Sequence, residues 1–328
     1  MRAAWYEKQG SPSESLVVGD MPEPVPPAGE LRIRIAVSGV NPGDVKKRQD
    51  TFGVGMPYPQ VVPHSDGAGV VDRVGAGVDP QWIGKRVWCF GAQSYRPFGT
   101  AAELCVVPEA QVSELPAGAS FEQGALLGIS GLTAHRAIHA GGPVEGRTVL
   151  VQGGAGAVGT CAVRLGRLAG ATVIATVQSP EQSDVAREAG AHHVVQSGEE
   201  SAARVAAVAP DGVDHIVEVA FAANIASDEQ MLKLGGSIAT YASDAPQATI
   251  PFWPLVFKNI RVFFLGSDDF PLEAKRQAAR DLNKAIREAW VGLPVGARFA
   301  LADVAEAHAF VEERKGPGRV VVTMPSAT

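Results

Sequence analysis

Between residues 149 and 241, short apolar runs alternate with stretches in which apolar residues recur every three or four positions. The runs predict buried strands at 149–152, 172–177, 193–195, 213–219 and 236–241, and the intervening stretches predict helices at 157–169, 181–189, 200–208 and 224–234. This alternation predicts an α/β fold, a doubly wound parallel sheet with helices on its faces. The first 120 or so residues follow another rule. Leu31-Arg-Ile-Arg-Ile-Ala-Val37 alternates strictly, as a half-buried strand does, and further short strands are expected at 67–75, 85–90 and 101–107. Frequent Gly and Pro between them suggest a barrel-like module.

Two helices are expected at 121–127 and 131–139, with Ser120 as an N-cap. Residues 251–264 read as extended, apolar and aromatic; 272–290 and 302–314 read as amphipathic helices, and 319–324 as a last strand. The pattern after 262 does not continue the strand–helix alternation. The chain is therefore expected to return to its first domain, giving a discontinuous unit of 1–122 with 263–328 around a second unit of 123–262.

The most specific local signal joins the first strand and helix of the second unit. Gly154, Gly156 and Gly159 stand as G-x-G-x-x-G directly after Val149–Val151 and before an apolar face at helical spacing. A strand, a glycine turn and a helix in that order cradle a dinucleotide pyrophosphate. Gly154 is expected to permit the turn, Gly156 to admit the phosphates to the backbone, and Gly159 to let helix and strand pack closely. The second strand ends Ala175-Thr-Val-Gln-Ser179, without the acid that would bind a ribose 2′-hydroxyl and repel a 2′-phosphate. NADPH is thus favoured over NADH. Arg187 is a possible phosphate partner, or simply a solvated surface arginine.

The net charge of −6 argues against nucleic acid or a membrane surface as partner. No apolar run approaches a membrane span and no signal peptide opens the chain, which suggests a cytoplasmic protein. Cys89, Cys105 and Cys161 are scattered and form no C-x-x-C, so neither a disulfide framework nor a zinc knuckle is indicated.

Several motifs together resemble the medium-chain dehydrogenase/reductase superfamily, and within it the zinc-free quinone oxidoreductases related to zeta-crystallin. They are Gly39-Val-Asn-Pro-Gly-Asp44, Pro63-His-Ser-Asp-Gly-Ala-Gly-Val-Val71, Val74-Gly-Ala-Gly-Val78, Gly84-Lys-Arg-Val87, Gly99-Thr-Ala-Ala-Glu103, the glycine turn, Leu234-Gly-Gly-Ser237 and Ala305-Glu-Ala-His308. The resemblance implies a GroES-like substrate domain, a Rossmann cofactor domain and a homodimer, here expected through an edge strand within 255–266. It also implies a small-molecule quinone or enone substrate. In zinc-bearing relatives a Cys stands near Asn41, and Gly-His-Glu where His64-Ser65-Asp66 stands here. Asn41 cannot be a thiolate ligand, and two surviving candidates do not complete a site, so no zinc is expected.

By the same resemblance, Gly154, Ala155, Gly156, Ala157, Val158 and Gly159 line the pyrophosphate, and Gln178, Ser179 and Ser197 lie near the adenosine. Asn41, Thr133, Asn224, Tyr241, Ala242 and Ser243 lie toward the nicotinamide. Asn224 could equally cap its helix, and Tyr241 could be core. Without a metal, hydride transfer to a quinone or activated enone needs only a hydrogen-bond donor at the developing oxyanion. Asn41 is the first candidate, with an Asx turn at Pro42 as the alternative. Lys46 stands where relatives have Tyr; it is a second candidate donor or a solvated loop lysine. Trp253, Phe257 and Phe264 read as core or subunit contact in preference to a substrate wall. Three functions remain: an NADPH-dependent quinone reductase, an NADPH-dependent enone or acryloyl-type double-bond reductase, and a cofactor-binding non-enzyme.

Overall fold

The computed structural model describes residues 1–325; 326–328, the end of the expected first unit, lie outside the described residues. In chain order the strands are β1 (Arg2–Trp5), β2 (Val17–Asp20), β3 (Glu30–Val40), β4 (Asp66–Val74), β5 (Arg86–Cys89), β6 (Leu104–Pro108), β7 (Val112–Glu114), β8 (Thr148–Val151), β9 (Thr172–Val177), β10 (His193–Gln196), β11 (Val213–Glu218), β12 (Leu232–Thr240), β13 (Arg261–Phe264), β14 (Val295–Ala300) and β15 (Arg319–Thr323). The helices are α1 (Pro12–Ser15), α2 (Pro42–Gln49), α3 (Phe121–Ala125), α4 (Gly128–His139), α5 (Ala157–Leu168), α6 (Pro180–Ala189), α7 (Ser201–Val208), α8 (Phe221–Met231), α9 (Phe252–Phe257), α10 (Leu272–Arg287) and α11 (Val304–Glu312).

The chain forms two compact units, 1–129 with 291–328 and 130–290. In the first, a sheet of order β14-β15-β3-β4-β5-β7, with β6 also paired to β3, encloses a core that includes Leu31, Ile33 and Ile35 of β3. These are the inward positions of the alternation read from the sequence. The stretch 67–75 falls on one strand, β4.

The second unit is a six-stranded parallel sheet of order β10-β9-β8-β11-β12-β13. Val149, Leu150 and Val151 of β8 are fully buried, as a central parallel strand requires. Consecutive strands run outward one way from β8 and then the other way from β11. The order therefore reverses between β8 and β11, and the crevice at their carboxyl ends is the topological switch point.

Several expectations are corrected. Residues 251–264 are not continuously extended: α9 and then β13 occupy them, and β13 pairs in parallel with β12 (Ser237 with Arg261, Thr240 with Phe264). The cofactor sheet therefore does continue past 262. Leu282 of α10 packs so close to Gly131 of α4 that a Cβ there would stand 2.5 Å from its Cδ1. The return to the first unit thus falls at 290/291 instead of 262/263, and the first crossing at 129/130 instead of 122/123. Residues 42–49, to which the sequence reading assigned no element, form helix α2, and 295–300, likewise unassigned, form strand β14.

Candidate functional site

The glycine turn is built on β8 and β9. Gly153 takes the left-handed conformation (φ 67°), so the sharp turn falls there and not on Gly154 as expected. Its N–H donates to Thr176 Oγ1 (3.0 Å), and Gly154 N–H donates to the Thr176 carbonyl (2.8 Å). Gly154 is needed for a different reason: a Cβ there would stand 2.6 Å from the Ala175 Cβ. A Cβ on Gly159 would lie 2.1 Å from the Gly153 carbonyl oxygen, which accounts for close helix–strand packing. Gly156 is exposed and caps α5 without any side chain. The first amides of α5, at Ala157, Val158 and Gly159, have no carbonyl one turn behind them and form the positive end of the helix dipole. Ala155, Ala157 and Val158 are half-buried beside them. These residues fit a diphosphate.

At the ends of β9 and β10, Ser197 donates to the Val177 carbonyl from both its N–H (2.8 Å) and its Oγ (3.1 Å). Gln178 is exposed, its N–H taken by Gln182 Oε1 (2.8 Å), and Ser179 caps α6. No carboxylate ends β9. Arg187 is a surface residue paired with Asp184 (3.3 Å). The sequence reading missed Arg204, which holds the Gln196 carbonyl (2.9 Å) and Glu200 (2.8 Å) at this end.

On the other side of the switch point, Tyr241, Ala242 and Ser243 line a cleft of about 400 Å³ with Phe221, Thr240 and Phe264–Gly266. Tyr241 N–H donates to the Glu218 carbonyl (3.3 Å), and burial beside Glu218 pushes its phenol up. Ser243 Oγ accepts from Ala222 N–H (3.3 Å), tying the cleft to the first turn of α8. Asn224 lies inside α8 and does not cap it; its Nδ2 donates to Glu218 Oε1 (3.0 Å). Glu218 also accepts from Ala220 N–H. The sequence did not mark Glu218, an acid at the carboxyl end of β11. Thr133 is buried within α4.

In the first unit, Asn41 is buried at the start of α2 with its amide clamped. Nδ2 donates to Asp66 Oδ2 (2.8 Å), Oδ1 accepts from Arg319 Nη2 (2.5 Å), and the backbone N–H donates to Asp44 Oδ2 (2.7 Å). The two side-chain partners fix which end of the amide is which and leave one Nδ2 hydrogen. Asp66 also accepts from Ile129 N–H (2.8 Å), and burial raises its carboxyl to about 7. Lys46 is exposed on helix α2, and is not a loop residue.

Both nitrogens of the buried His64 are engaged, Nδ1 by Ser38 Oγ (2.8 Å) and Nε2 by His308 Nε2 (2.9 Å). Burial pushes the His64 imidazole down to about 3. Among the described residues no group of three or more His, Cys, Asp or Glu is placed to hold a metal ion. His64 spends both ring nitrogens on Ser38 and His308, and Asn41 spends its amide on Asp66 Oδ2 and Arg319. Of these three residues Asp66 Oδ1 alone is without a partner, and a single carboxylate oxygen is not a zinc donor set.

Residues 27–117 match the alcohol dehydrogenase GroES-like domain, and 157–280 the zinc-binding dehydrogenase domain. A mouse quinone oxidoreductase is 30% identical over 317 residues, covering 94% of this chain and 93% of its own. A mycobacterial quinone oxidoreductase of known structure superposes with a TM-score of 0.86 at 29% identity, over 98% of this chain and 99% of that one. A mycobacterial protein solved in complex with NADPH gives 0.84 at 29% identity, over 98% and 100%. With a GroES-like unit, a Rossmann unit and relatives aligned along nearly the whole chain, the protein belongs to the zinc-free quinone oxidoreductase branch of the medium-chain dehydrogenase/reductase superfamily.

Proposed function

We propose that the protein is an NADPH-dependent quinone reductase that works without a resident metal. The observation that carries this reading is the clamped amide of Asn41, a neutral donor with one hydrogen left over, at the place where zinc-dependent chemistry would need a ligand. When bound, the nicotinamide supplies the hydride. A quinone spreads the arriving charge through its own conjugation, so a fixed hydrogen-bond donor suffices in place of a Lewis acid. Gly154 to Gly159 would hold the diphosphate, Gln178, Ser179 and Ser197 the adenosine ribose, and Asn224 with Tyr241, Ala242 and Ser243 the nicotinamide half. Asn41 would donate to the acceptor oxygen; Thr133 and Lys46 are secondary candidates. The groups at the end of β9 are neutral, so the preference for NADPH over NADH is expected to be no more than about tenfold.

The test is a panel of quinones and conjugated alkenals with both nicotinamides, followed by NADPH absorbance. Quinones are expected to turn over fastest. Asn41→Ala should lower kcat by about 100-fold, the scale of losing one oxyanion donor, with KM little changed. Turnover of alkenals alone would move the protein to the double-bond reductases, and turnover of neither would leave a cofactor-binding non-enzyme.

Three buried cysteines at scattered positions suit a reducing compartment, and we propose that the protein is cytoplasmic. No helix among the described residues is long and apolar enough to cross a membrane. We also propose a homodimer through β13. This edge strand carries Phe264 at 73% exposure, and α9 before it exposes Trp253 (62%) and Phe257 (73%), which excludes a core role for all three. Light scattering should give about twice the 34.2 kDa chain mass, and Phe264→Glu should shift it toward the monomer. A wild-type monomer would refute the dimer.

A further inference from the structure

A row of buried polar side chains runs beneath the switch point. Gly153 N–H donates to Thr176 Oγ1 (3.0 Å), whose hydroxyl donates to Gln152 Oε1 (2.7 Å). Gln152 Nε2 in turn donates to Asp228 Oδ1 (2.8 Å). No N–H or O–H donor is bonded to Asp228 Oδ2; the group that faces Asp228 is the carboxyl of Glu218. Glu218 already accepts from Ala220 N–H and from Asn224 Nδ2 (3.0 Å). Thr176, Gln152, Glu218 and Asp228 are all 5% exposed or less. The row links the turn that takes the diphosphate to the cleft at Tyr241 on the other side of the crevice.

Two facing buried carboxyls cannot both ionise near neutrality while no cation stands beside them. Burial raises both, and the charge of Glu218 raises Asp228 further. The hydrogen bonds say where the proton sits. Glu218 and Asp228 Oδ1 are already turned to N–H donors, so the proton is on Asp228 Oδ2 and the pair carries one negative charge. No Lys, Arg or His is among the groups acting on either carboxyl. The other titratable group on this side is Tyr241, whose phenol burial pushes up, with Cys161 beyond it. Glu229 of α8 is turned to Lys258 (2.9 Å). A buried negative charge without a cation is costly unless something supplies one. In a doubly wound sheet the second half of a dinucleotide lies over the strands beyond the switch point, here β11 and β12.

We propose that the Glu218–Asp228 pair is the counter-charge for the oxidised nicotinamide. In the free protein it is a single buried negative charge that favours the cationic oxidised nucleotide over the reduced one, and the arriving cation lets the shared proton leave to solvent, so that both carboxyls are ionised only while that cation is bound. The inference rests on the nicotinamide reading above. At an effective dielectric of about 20 and a separation of roughly 10 Å, one unit charge changes relative affinity by about tenfold.

The experiment is calorimetric titration of NADP+ and NADPH in buffers of different ionisation enthalpy, so that Kd and the protons released are read together. Wild type should release protons with NADP+ and none with NADPH. Asp228→Asn is isosteric with the protonated acid and keeps the Glu218 charge. It should hold the ratio of the two Kd values within about twofold while abolishing proton release. Glu218→Gln leaves Asp228 buried and neutral, and should weaken NADP+ relative to NADPH about tenfold. A merely structural pair would weaken both nucleotides alike and release no proton in wild type; either result overturns the proposal. If Glu218→Gln does not fold, wild type and Asp228→Asn decide on proton count. If wild type binds neither nucleotide, the nicotinamide reading itself fails; if it binds both without proton release, only the counter-charge does.

Discussion

Gly159→Ala is expected to raise the Kd for NADPH by about 100-fold or more while leaving a folded protein. The added methyl would sit 2.1 Å from the Gly153 carbonyl oxygen, 2.9 Å from its carbon and 3.0 Å from the Gly154 Cα. All three are backbone atoms, so no rotamer change relieves the contact. Helix α5 must withdraw from the turn, although Cys161, Ala162, Val163 and Leu165 hold it to the sheet. Overpacking of this kind costs about 1–3 kcal/mol. The larger effect is on the ligand, because the amides of Ala157 to Gly159 move with the helix and a displacement of about 1 Å can cost 100-fold. Gly156→Ala is the control. Its methyl would meet only the Gly153 oxygen at 3.3 Å, so stability should change by less than about 1 kcal/mol. Fluorescence titration and thermal melts read both variants. Wild-type NADPH affinity in Gly159→Ala would show that the nucleotide does not bind on this turn.

The glycine turn was legible because its chemistry is local, with three glycines at fixed spacing between an apolar run and a helical face. The parallel sheet was legible because its strands are buried on both faces and read as apolar runs. Helix α2 was not. Pro42-Gly-Asp-Val-Lys-Lys-Arg-Gln49 offers one apolar residue, and two of the side chains it buries are Asp44 and Arg48, held by hydrogen bonds and ion pairs that hydrophobic periodicity cannot see. Helix α9 failed for the opposite reason: Phe252-Trp-Pro-Leu-Val-Phe257 is apolar on every side and has no period, and only Leu255 is buried. The amphipathic pattern of α10 announced a helix but not the surface it packs on, which misplaced the domain boundary. Glu218 and Asp228 lie ten residues apart and meet only because α8 folds back on β11, so neither acid carried a signal alone.

Arg48→Met is expected to destabilise the first unit by about 3–5 kcal/mol at neutral pH, the scale of removing one member of a buried charged network. Arg48 is fully buried and bonds Glu312 Oε2 (2.7 Å), the Gly10 carbonyl and His308 Nδ1 (3.4 Å). Arginine can only donate, so His308 Nδ1 must accept and its Nε2–H must donate to His64 Nε2. His64 Nδ1–H then donates to Ser38 Oγ, Ser38 to Thr100 Oγ1 (2.7 Å), and Thr100 to the Asp66 carbonyl (2.7 Å). One cation thus sets both imidazole tautomers and the direction of every bond down to Asp66. Protonating either ring would reverse a donor. Burial holds His64 down to about 3 and His308 well below its ordinary value, with the charges of His64 and Arg48 adding to the latter. The folded state therefore binds fewer protons than the unfolded chain below about pH 6.5. Stability is fully present above that pH and falls as the pH drops toward the folded value, by up to about 1.4 kcal/mol per pH unit for each ring. Arg48→Met removes a charge that opposes protonation of His308, so the variant should be less stable at neutrality yet lose stability less steeply in acid. Urea midpoints measured from neutral to acid pH test both statements. A loss under about 1 kcal/mol at neutrality, or an acid slope unchanged from wild type, would show that Arg48 does not orient this chain of hydrogen bonds.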